Sequence, residues 1–360
     1  MRIIAFVNRD SGPAYHRIIM PLVLMRDVDV YITNNLLEED FDKGCDILMY
    51  NRTLPEHAME TIRRLQKKHG FKICVDVDDY WELDRHHILY DEYQEEGFAD
   101  QQIKHLCGAD LIFTTHQRLA DAVNDVILDN YSLLVREPYP YLHRPSVHVL
   151  PNAIPHQGQF DIKREYSPLT RLFWQGSITH VADIELLKSP LESLGKIAGS
   201  VKMVMAGFHK DNDDWKYMAA LYTAALKHQY KLIAPESVTN YYGAYAHADI
   251  CLVPLVNSPF NRMKSNLKIL EAANMGLPVI ASAVHPYLGM PVSFCKHPRD
   301  WTGHIKRLVQ FPERQRDEGQ RLAEYCQEHY NFHKINNERR QILEHAAQKQ
   351  AYERTGNDRF

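Results

Sequence analysis

The sequence has no long apolar run. No stretch approaches the ~18–20 residues that a membrane span needs, which excludes a helical membrane-spanning chain. It has little cysteine, 6 residues in 360. Cys45, Cys74, Cys107, Cys251, Cys295 and Cys326 are scattered with neither C-x-x-C nor metal-ligand spacing, so a disulfide framework and a zinc site are both unexpected. Cys74, Cys251 and Cys295 lie in apolar, strand-like contexts, as buried reduced thiols do. The opening residues lack a cleavable leader pattern and read as a buried first strand, so a soluble cytoplasmic protein is expected. Neither an internal repeat nor a low-complexity segment is present. His86, His87, His105 and His116 show no metal-ligand spacing, and no metal site is expected. Hydrophobic residues at 45% and charged residues at 24% are ordinary globular values, which excludes a disordered or fibrous chain.

Charge is small overall but unevenly divided. The formal net charge is −4, yet residues 1–155 hold nine more acidic than basic residues and the remainder five more basic than acidic. A basic second half suits an anionic small ligand, and an acidic first half disfavours a polyanion there. Short β-rich apolar runs alternate with helical patterns along most of the chain, which predicts a parallel α/β architecture. Strands are expected at residues 3–8, 28–32, 47–50, 72–76, 111–114 and 147–150, then at 172–175, 202–206, 231–233, 250–253, 279–281 and 293–295. Helices are expected at 56–68, 184–194, 214–228, 238–246 and 264–275, with a charged helical tail from 313 to about 350. Pro151 and Pro155 interrupt the series. The expectation is two doubly wound, Rossmann-like domains, residues 1–155 and 156–330, facing a cleft, with residues 331–360 crossing back toward the first. Ligands should bind at the carboxyl ends of the strands.

Residues 245–282 carry the most specific pattern. The strand at 250–253 ends at Pro254, a polar loop follows, and a helix opens near Lys264 and Ser265. Free amides there, at Ser265, Asn266 and Leu267 beside the Lys264 ammonium, make an anion site suited to a pyrophosphate. Glu271, two turns on, is a carboxylate able to accept hydrogen bonds from ribose hydroxyls. The plain alternative is an ordinary βαβ unit with a capped helix. Gly176 allows a tight turn at another strand end, where Ser177 and His180 could meet phosphate, or Ser177 or Thr179 could cap a helix beginning near Ala182. In the first half, the loop from Asn8 to Arg17 follows the first strand; Gly12 allows close backbone approach, and Arg17 could reach a phosphate leaving group. Asp78 and Asp79, beside Tyr80 and Trp81, suit hydrogen bonding and stacking to a sugar-like acceptor. Helix capping is their alternative role. His116, after Thr114 and Thr115, is a weaker acceptor-site candidate.

Residues 245–255 with 261–282 resemble the donor-binding signature of GT-B-fold glycosyltransferases, particularly the retaining family-four superfamily (glycosyl transferases group 1). Val149-Leu-Pro-Asn-Ala-Ile154, Phe173-Trp-Gln-Gly-Ser-Ile-Thr-His-Val-Ala-Asp-Ile184 and Ala323-Glu-Tyr-Cys-Gln-Glu-His-Tyr-Asn-Phe332 resemble further stretches of that family in the same order. The resemblance implies a transferase that moves a sugar from a nucleoside diphosphate sugar to a hydroxyl acceptor, with retention and without metal or other cofactor. It implies donor binding by Gly12, Gly176, Ser177, His180, Lys264, Ser265, Asn266, Leu267 and Glu271. Acceptor binding would fall to Asp78, Asp79 and Trp81, and catalysis to Arg17, Lys264, Asp78 and His116. The acceptor would be a glycan, lipid-linked or small molecule; the alternative is hydroxymethylated DNA, as for phage-type enzymes. Two departures stand out. Met263 occupies the place of the family's first Glu, and Ser177 and His180 stand where an Arg and a Lys are usual. They keep a non-catalytic nucleotide-sugar-binding protein as a further alternative.

Overall fold

The computed structural model describes residues 1–7, 11–130, 144–226 and 229–357, with side chains left undescribed at 222–226 and beyond 348. The chain folds as two compact units. Unit 1 comprises residues 1–83, 90–152 and 332–360, and unit 2 comprises 84–89 and 153–331.

Unit 1 is a six-stranded parallel sheet in the order β2-β1-β3-β4-β5-β6. Its strands are β1 (Arg2–Phe6), β2 (Asp29–Thr33), β3 (Ile47–Asn51), β4 (Lys72–Val77), β5 (Leu111–Thr114) and β6 (Ser146–Val149). β1, β3, β4 and β5 are nearly continuous apolar runs, as strands covered on both faces must be. The covering helices include α1 (Glu56–His69), α2 (Phe98–Cys107) and α3 (Gln117–Asp129). α1 buries Ile62 and Leu65, carries Lys67, Lys68 and His69 in its last turn, and stops at Gly70 in the left-handed conformation (φ 66°). Unit 2 repeats the plan in the order β12-β11-β10-β7-β8-β9. Its strands are β7 (Thr170–Gln175), β8 (Val201–Ala206), β9 (Tyr230–Ile233), β10 (Ile250–Val253), β11 (Val279–Ser282) and β12 (Ser293–Cys295). Its helices include α4 (Val181–Glu185), α5 (Asp213–Leu226), α6 (Leu267–Asn274), α7 (Pro298–Gln310) and α8 (Pro312–His329). Leu172, Trp174, Met203, Trp215, Ile250, Ile280 and Trp301 are among its buried core.

All twelve strands fall where the apolar runs place them, within two residues at each end. The helices differ more. The expected helix at 184–194 is divided into α4 and a second turn, Lys188–Glu192. Residues 238–246 form a 3-10 turn, Tyr241–His247. The tail breaks at Tyr330 into α8 and α9 (Phe332–Asn357). α9 belongs to unit 1, where the Asn336 amide donates to the Pro21 carbonyl at 2.9 Å. Among the described residues no helix is long and apolar enough to cross a membrane. All six cysteines are free thiols, five of them buried.

Candidate functional site

The carboxyl edge of the unit 2 sheet gathers most of the expected donor residues. Gly176 follows β7, and a Cβ there would lie 2.6 Å from the Trp174 ring and 3.1 Å from His180. Gly207 follows β8 with φ +99°, and a Cβ on it would lie 2.4 Å from the Gly176 carbonyl oxygen. Glycine is therefore required at both turns, at Gly176 by the Trp174 and His180 rings of its own segment and at Gly207 by its positive φ and the Gly176 carbonyl.

Ser177 and Thr179 do not cap a helix. Their hydroxyls bond to each other at 2.7 Å, and α4 starts at Val181 without a side-chain cap. His180 is instead the centre of a chain of contacts. Its Nδ1 lies 2.7 Å from Asp183 Oδ2 and its Nε2 lies 3.2 Å from Lys268 Nζ. Asp183 Oδ1 accepts from the Val256 amide at 2.6 Å, which ties the loop after β10 to α4. Lys268 Nζ also lies 5.4 Å from the Trp174 ring centroid. Burial, with the Lys268 charge beside it, pushes the His180 imidazole down to about 4. It is neutral at pH 7, with Nδ1–H donating to Asp183 and Nε2 accepting from Lys268. Burial lowers the Lys268 ammonium to about 8.

α6 begins at Leu267, three residues later than the sequence pattern suggests, with Asn266 at the cap position. The Asn266 side chain makes no capping bond and turns to Met290 Sδ at 3.4 Å. The first amides of α6 therefore have neither an intrahelical acceptor nor a side-chain cap from Asn266. Lys264 ends the 3-10 turn Asn261–Met263, and its Nζ lies 4.6 Å from the Phe260 ring centroid. Ser265 joins this turn to α6. Lys264, Ser265, Asn266, Leu267 and Lys268 thus share one short stretch at the strand ends.

Glu271 requires a correction. It is not an open carboxylate but is buried, with Tyr241 donating to Oε1 and Tyr245 donating to Oε2 at 2.8 Å. Burial raises its pKa and the two tyrosine hydrogen bonds counter that rise. In this structure both oxygens already hold a donor, so a ribose contact needs a tyrosine to move. Tyr241 is half-buried, whereas Tyr245 is 2% exposed. A cavity of ≈ 200 Å³ opens at the far end of α6, lined by Phe160, Arg164 and Asn274 among others, away from these residues.

Unit 1 departs further from expectation. Arg17 does not face a ligand. It is 1% exposed, pairs through Nε and Nη2 with Asp76 at 2.8 and 2.9 Å, and donates from Nη1 to the Leu150 carbonyl and Asn152. Its guanidinium is consumed by the fold and, contrary to expectation, is not presented to a phosphate. Residues 8–10 of the loop that precedes it lie outside the described residues. Gly12 opens a short turn capped by Ser11, and a Cβ on it would meet no atom within 4 Å. Trp81 is 3% exposed, its ring tilted against Tyr80 at 4.5 Å, so it is a core residue rather than an acceptor platform.

Asp78 and Asp79 are half-buried and held by Arg52. Arg52 Nε and Nη2 reach the two Asp78 oxygens at 2.8 and 3.0 Å. Burial opposes ionisation of Asp78, and Arg52 outweighs it, so its pKa lies below the usual carboxylate range. Arg52 itself sits at φ 56°, a left-handed conformation uncommon for an arginine. His116 caps α3, its Nδ1 accepting from the Leu119 amide at 3.2 Å. The neighbouring Thr115 hydroxyl is buried and has no hydrogen-bond partner among the described residues. Asp78, Asp79, Thr115 and His116 follow β4 and β5, so the acceptor candidates do share the carboxyl edge of this sheet.

Lys268, Arg52, Tyr241 and Tyr245 are absent from the sequence-derived set. Lys268 was legible, because it stands one turn before Glu271 on the same helix face. The tyrosines at i and i+4 carry a weaker signal, since nothing local pairs them with a carboxylate 26–30 residues on. Nothing local marks the backbone of Arg52.

Residues 170–310 match the glycosyl transferases group 1 family. No curated protein sequence matches the chain. Among solved structures, sucrose-phosphate synthase from Thermosynechococcus elongatus is similar with TM-score 0.64 and 14% identity, covering 96% of this chain and 98% of that one. Anabaena HepE in complex with UDP is similar with TM-score 0.64 and 10% identity over 95% of this chain and 99% of its own. An Escherichia coli trehalose-6-phosphate structure bound with UDP-2-fluoro glucose gives TM-score 0.62 and 11% identity, with coverages of 95% and 99%. The fold is GT-B, two Rossmann-like units. The group 1 match spans β7 to α7 and so lies within unit 2.

Proposed function

We propose that the chain transfers a sugar from a nucleoside diphosphate sugar to a hydroxyl acceptor, with retention and without a metal. The observation that carries this reading is the clustering of Lys264, Lys268 and the first α6 amides at the strand ends of the group 1 segment. Helix-end amides and ammonium groups are the donors a diphosphate needs. The amides of Ser265, Asn266 and Leu267 bind the diphosphate, and Lys264 adds charge beside them. Gly176, whose turn packs on the Trp174 ring, places the Ser177 hydroxyl at the strand end toward the sugar. Glu271 binds the ribose once Tyr241 swings away, with Tyr245 holding the second carboxylate oxygen. UDP and UDP-sugars occupy two of the similar proteins, which supports uridine as the nucleotide.

Bond breaking at the anomeric carbon leaves its electron pair on the diphosphate oxygen. Fixed donors aimed at that charge lower the barrier without reorganising, and alignment of the acceptor hydroxyl supplies the rest. The acceptor is held on unit 1 by Asp78 and Asp79, which Arg52 orients, and by His116 beside Thr115. A glycan, lipid-linked or small-molecule acceptor fits these polar groups, and the acidic first half disfavours DNA. The cytoplasm is the proposed compartment. Release of nucleoside diphosphate from a panel of UDP-, GDP- and ADP-sugars, followed with and without acceptor, tests the reading. One donor should be consumed, and Asp78→Asn should slow only the acceptor-dependent part.

One observation favours a second reading. The Glu271 carboxylate held by two tyrosines, with Met263 in place of a carboxylate, suits a nucleotide-sugar-binding protein without turnover. Binding of a nucleotide sugar without release of diphosphate would select it.

A further inference from the structure

We propose that Lys268, held in place by His180 and Asp183, is the cation that binds the terminal phosphate of the nucleoside diphosphate in this chain. This rests on the nucleotide-sugar reading above and names the residue that substitutes for the Arg and Lys missing after Gly176.

Lys268 is the second residue of α6, in the turn whose amides lack intrahelical acceptors. Its side chain runs back over the Trp174 ring toward the Gly176 turn, 5.4 Å from the ring centroid. An ammonium has three N–H donors. The hydrogen-bond partner it finds is a neutral imidazole nitrogen, His180 Nε2 at 3.2 Å, and among the described residues no carboxylate lies within ion-pair distance. Asp183, the nearby acid, is already committed to His180 and the Val256 amide, with the Asn261 amide at 3.4 Å. Lys264 adds a second positive charge from the preceding turn. A half-buried ammonium with spare donors, a second cation and no ion-pair partner is costly to the fold alone. A phosphate removes that cost by filling the empty donors. The His180–Asp183 pair fixes the ammonium's direction: Asp183 holds the imidazole in the tautomer that can only accept from Lys268.

Charge at Lys268 gives a signature that a purely structural lysine lacks. With its ammonium lowered to about 8 by burial, the free protein loses this charge as pH rises through 8. Affinity for the diphosphate then falls by up to roughly tenfold per pH unit until the phosphate can no longer hold the proton. The groups facing Lys268 are His180 and Asp183 from the α4 side, Lys264 from the preceding turn and Glu271 on α6 itself. His180 titrates near 4, well below the window.

The experiment is calorimetric titration of the whole chain with UDP and with uridine from pH 7 to 9.5. Wild type should bind UDP progressively more weakly above pH 8, taking up a proton, while uridine binding stays level. Lys268→Met should lose roughly ten- to hundredfold in UDP affinity at pH 7 and little for uridine, the size of a charge-assisted contact. Lys268→Arg should keep the affinity at pH 7 and flatten the pH profile. It also serves if the Met variant does not fold. His180 is a positioning residue: His180→Gln, whose amide oxygen still accepts from the ammonium, should retain UDP binding that His180→Ala loses in part. Equal UDP affinity in wild type and Lys268→Met, or a level wild-type profile, overturns the assignment and leaves the proposed function standing. A wild type that binds no nucleoside diphosphate overturns both.

Discussion

Replacing Arg17 by Met separates a structural arginine from a phosphate-binding one. Arg17 and Asp76 are 1% and 0% exposed, and four hydrogen bonds leave the guanidinium toward Asp76, Leu150 and Asn152. Removing one member of a buried ion pair costs about 3–5 kcal/mol, because the other charge stays uncompensated. Burial already raises the Asp76 pKa, Arg17 opposes that rise, and Arg339 is a further nearby cation. The variant's Asp76 should therefore take up a proton, which moves the loss toward the lower figure. A folding unit of this size loses about 2–4 °C per kcal/mol, so the unit 1 transition should fall by about 10 °C. Differential scanning calorimetry reads this directly, and the rise in melting temperature on adding nucleotide to unit 2 should persist. Arg17→Met with Asp76→Leu should recover much of the loss, since an apolar replacement of both partners is close to neutral. Unchanged melting with lost sugar transfer would show that Arg17 faces the substrate, and the structural reading would be wrong.

Three further outcomes follow from the same geometry. Gly207→Ala puts a methyl 2.4 Å from the Gly176 carbonyl oxygen at φ +99°, and should cost about 1–3 kcal/mol by strain and overpacking; an unchanged urea midpoint would refute the close-packed turn. Burial holds three imidazoles low, His16 at about 3 and His105 and His180 at about 4. Their contribution to stability is whole above the ordinary value near 6.5 and is lost as pH falls toward 4, because the unfolded chain binds protons that the folded one refuses. Urea midpoints should drop steeply between pH 6.5 and 4, by up to about 4 kcal/mol per pH unit if all three act, and a level profile would contradict neutral burial. Tyr241→Phe removes one donor from Glu271 and should tighten nucleotide binding a few-fold, because the carboxylate then needs no displacement; weaker binding would mean that Tyr241 itself contacts the ligand.

The central strands were legible because each is a short apolar run between polar turns, and burial on both faces leaves no other pattern; the outer strands β2, β6 and β9 are more exposed and were read from their β-rich residues. Helix ends were less so. Expected to open near Lys264, α6 starts three residues later, with Asn266 at the cap position, because residues 261–263 form a 3-10 turn of their own. That Lys264, Ser265, Asn266 and Leu267 lie together at a strand end was readable, because their spacing places them in one turn. Arg17 and Trp81 misled for one reason: a guanidinium or an indole near a strand end looks the same in sequence whether it faces solvent or core. Asp76 is the partner that decides for Arg17, and it lies 59 residues away. The Tyr241–Glu271–Tyr245 arrangement likewise depends on how two segments pack, which no local pattern reports.

The most direct test of the central claim is the melting temperature of the purified chain with UDP, GDP, ADP, CDP and dTDP in turn. One nucleotide, UDP on this account, should stabilise it, by about 2.7 kcal/mol at a hundred times the dissociation constant. No response to any of the five would contradict a nucleoside diphosphate site at the carboxyl edge of unit 2.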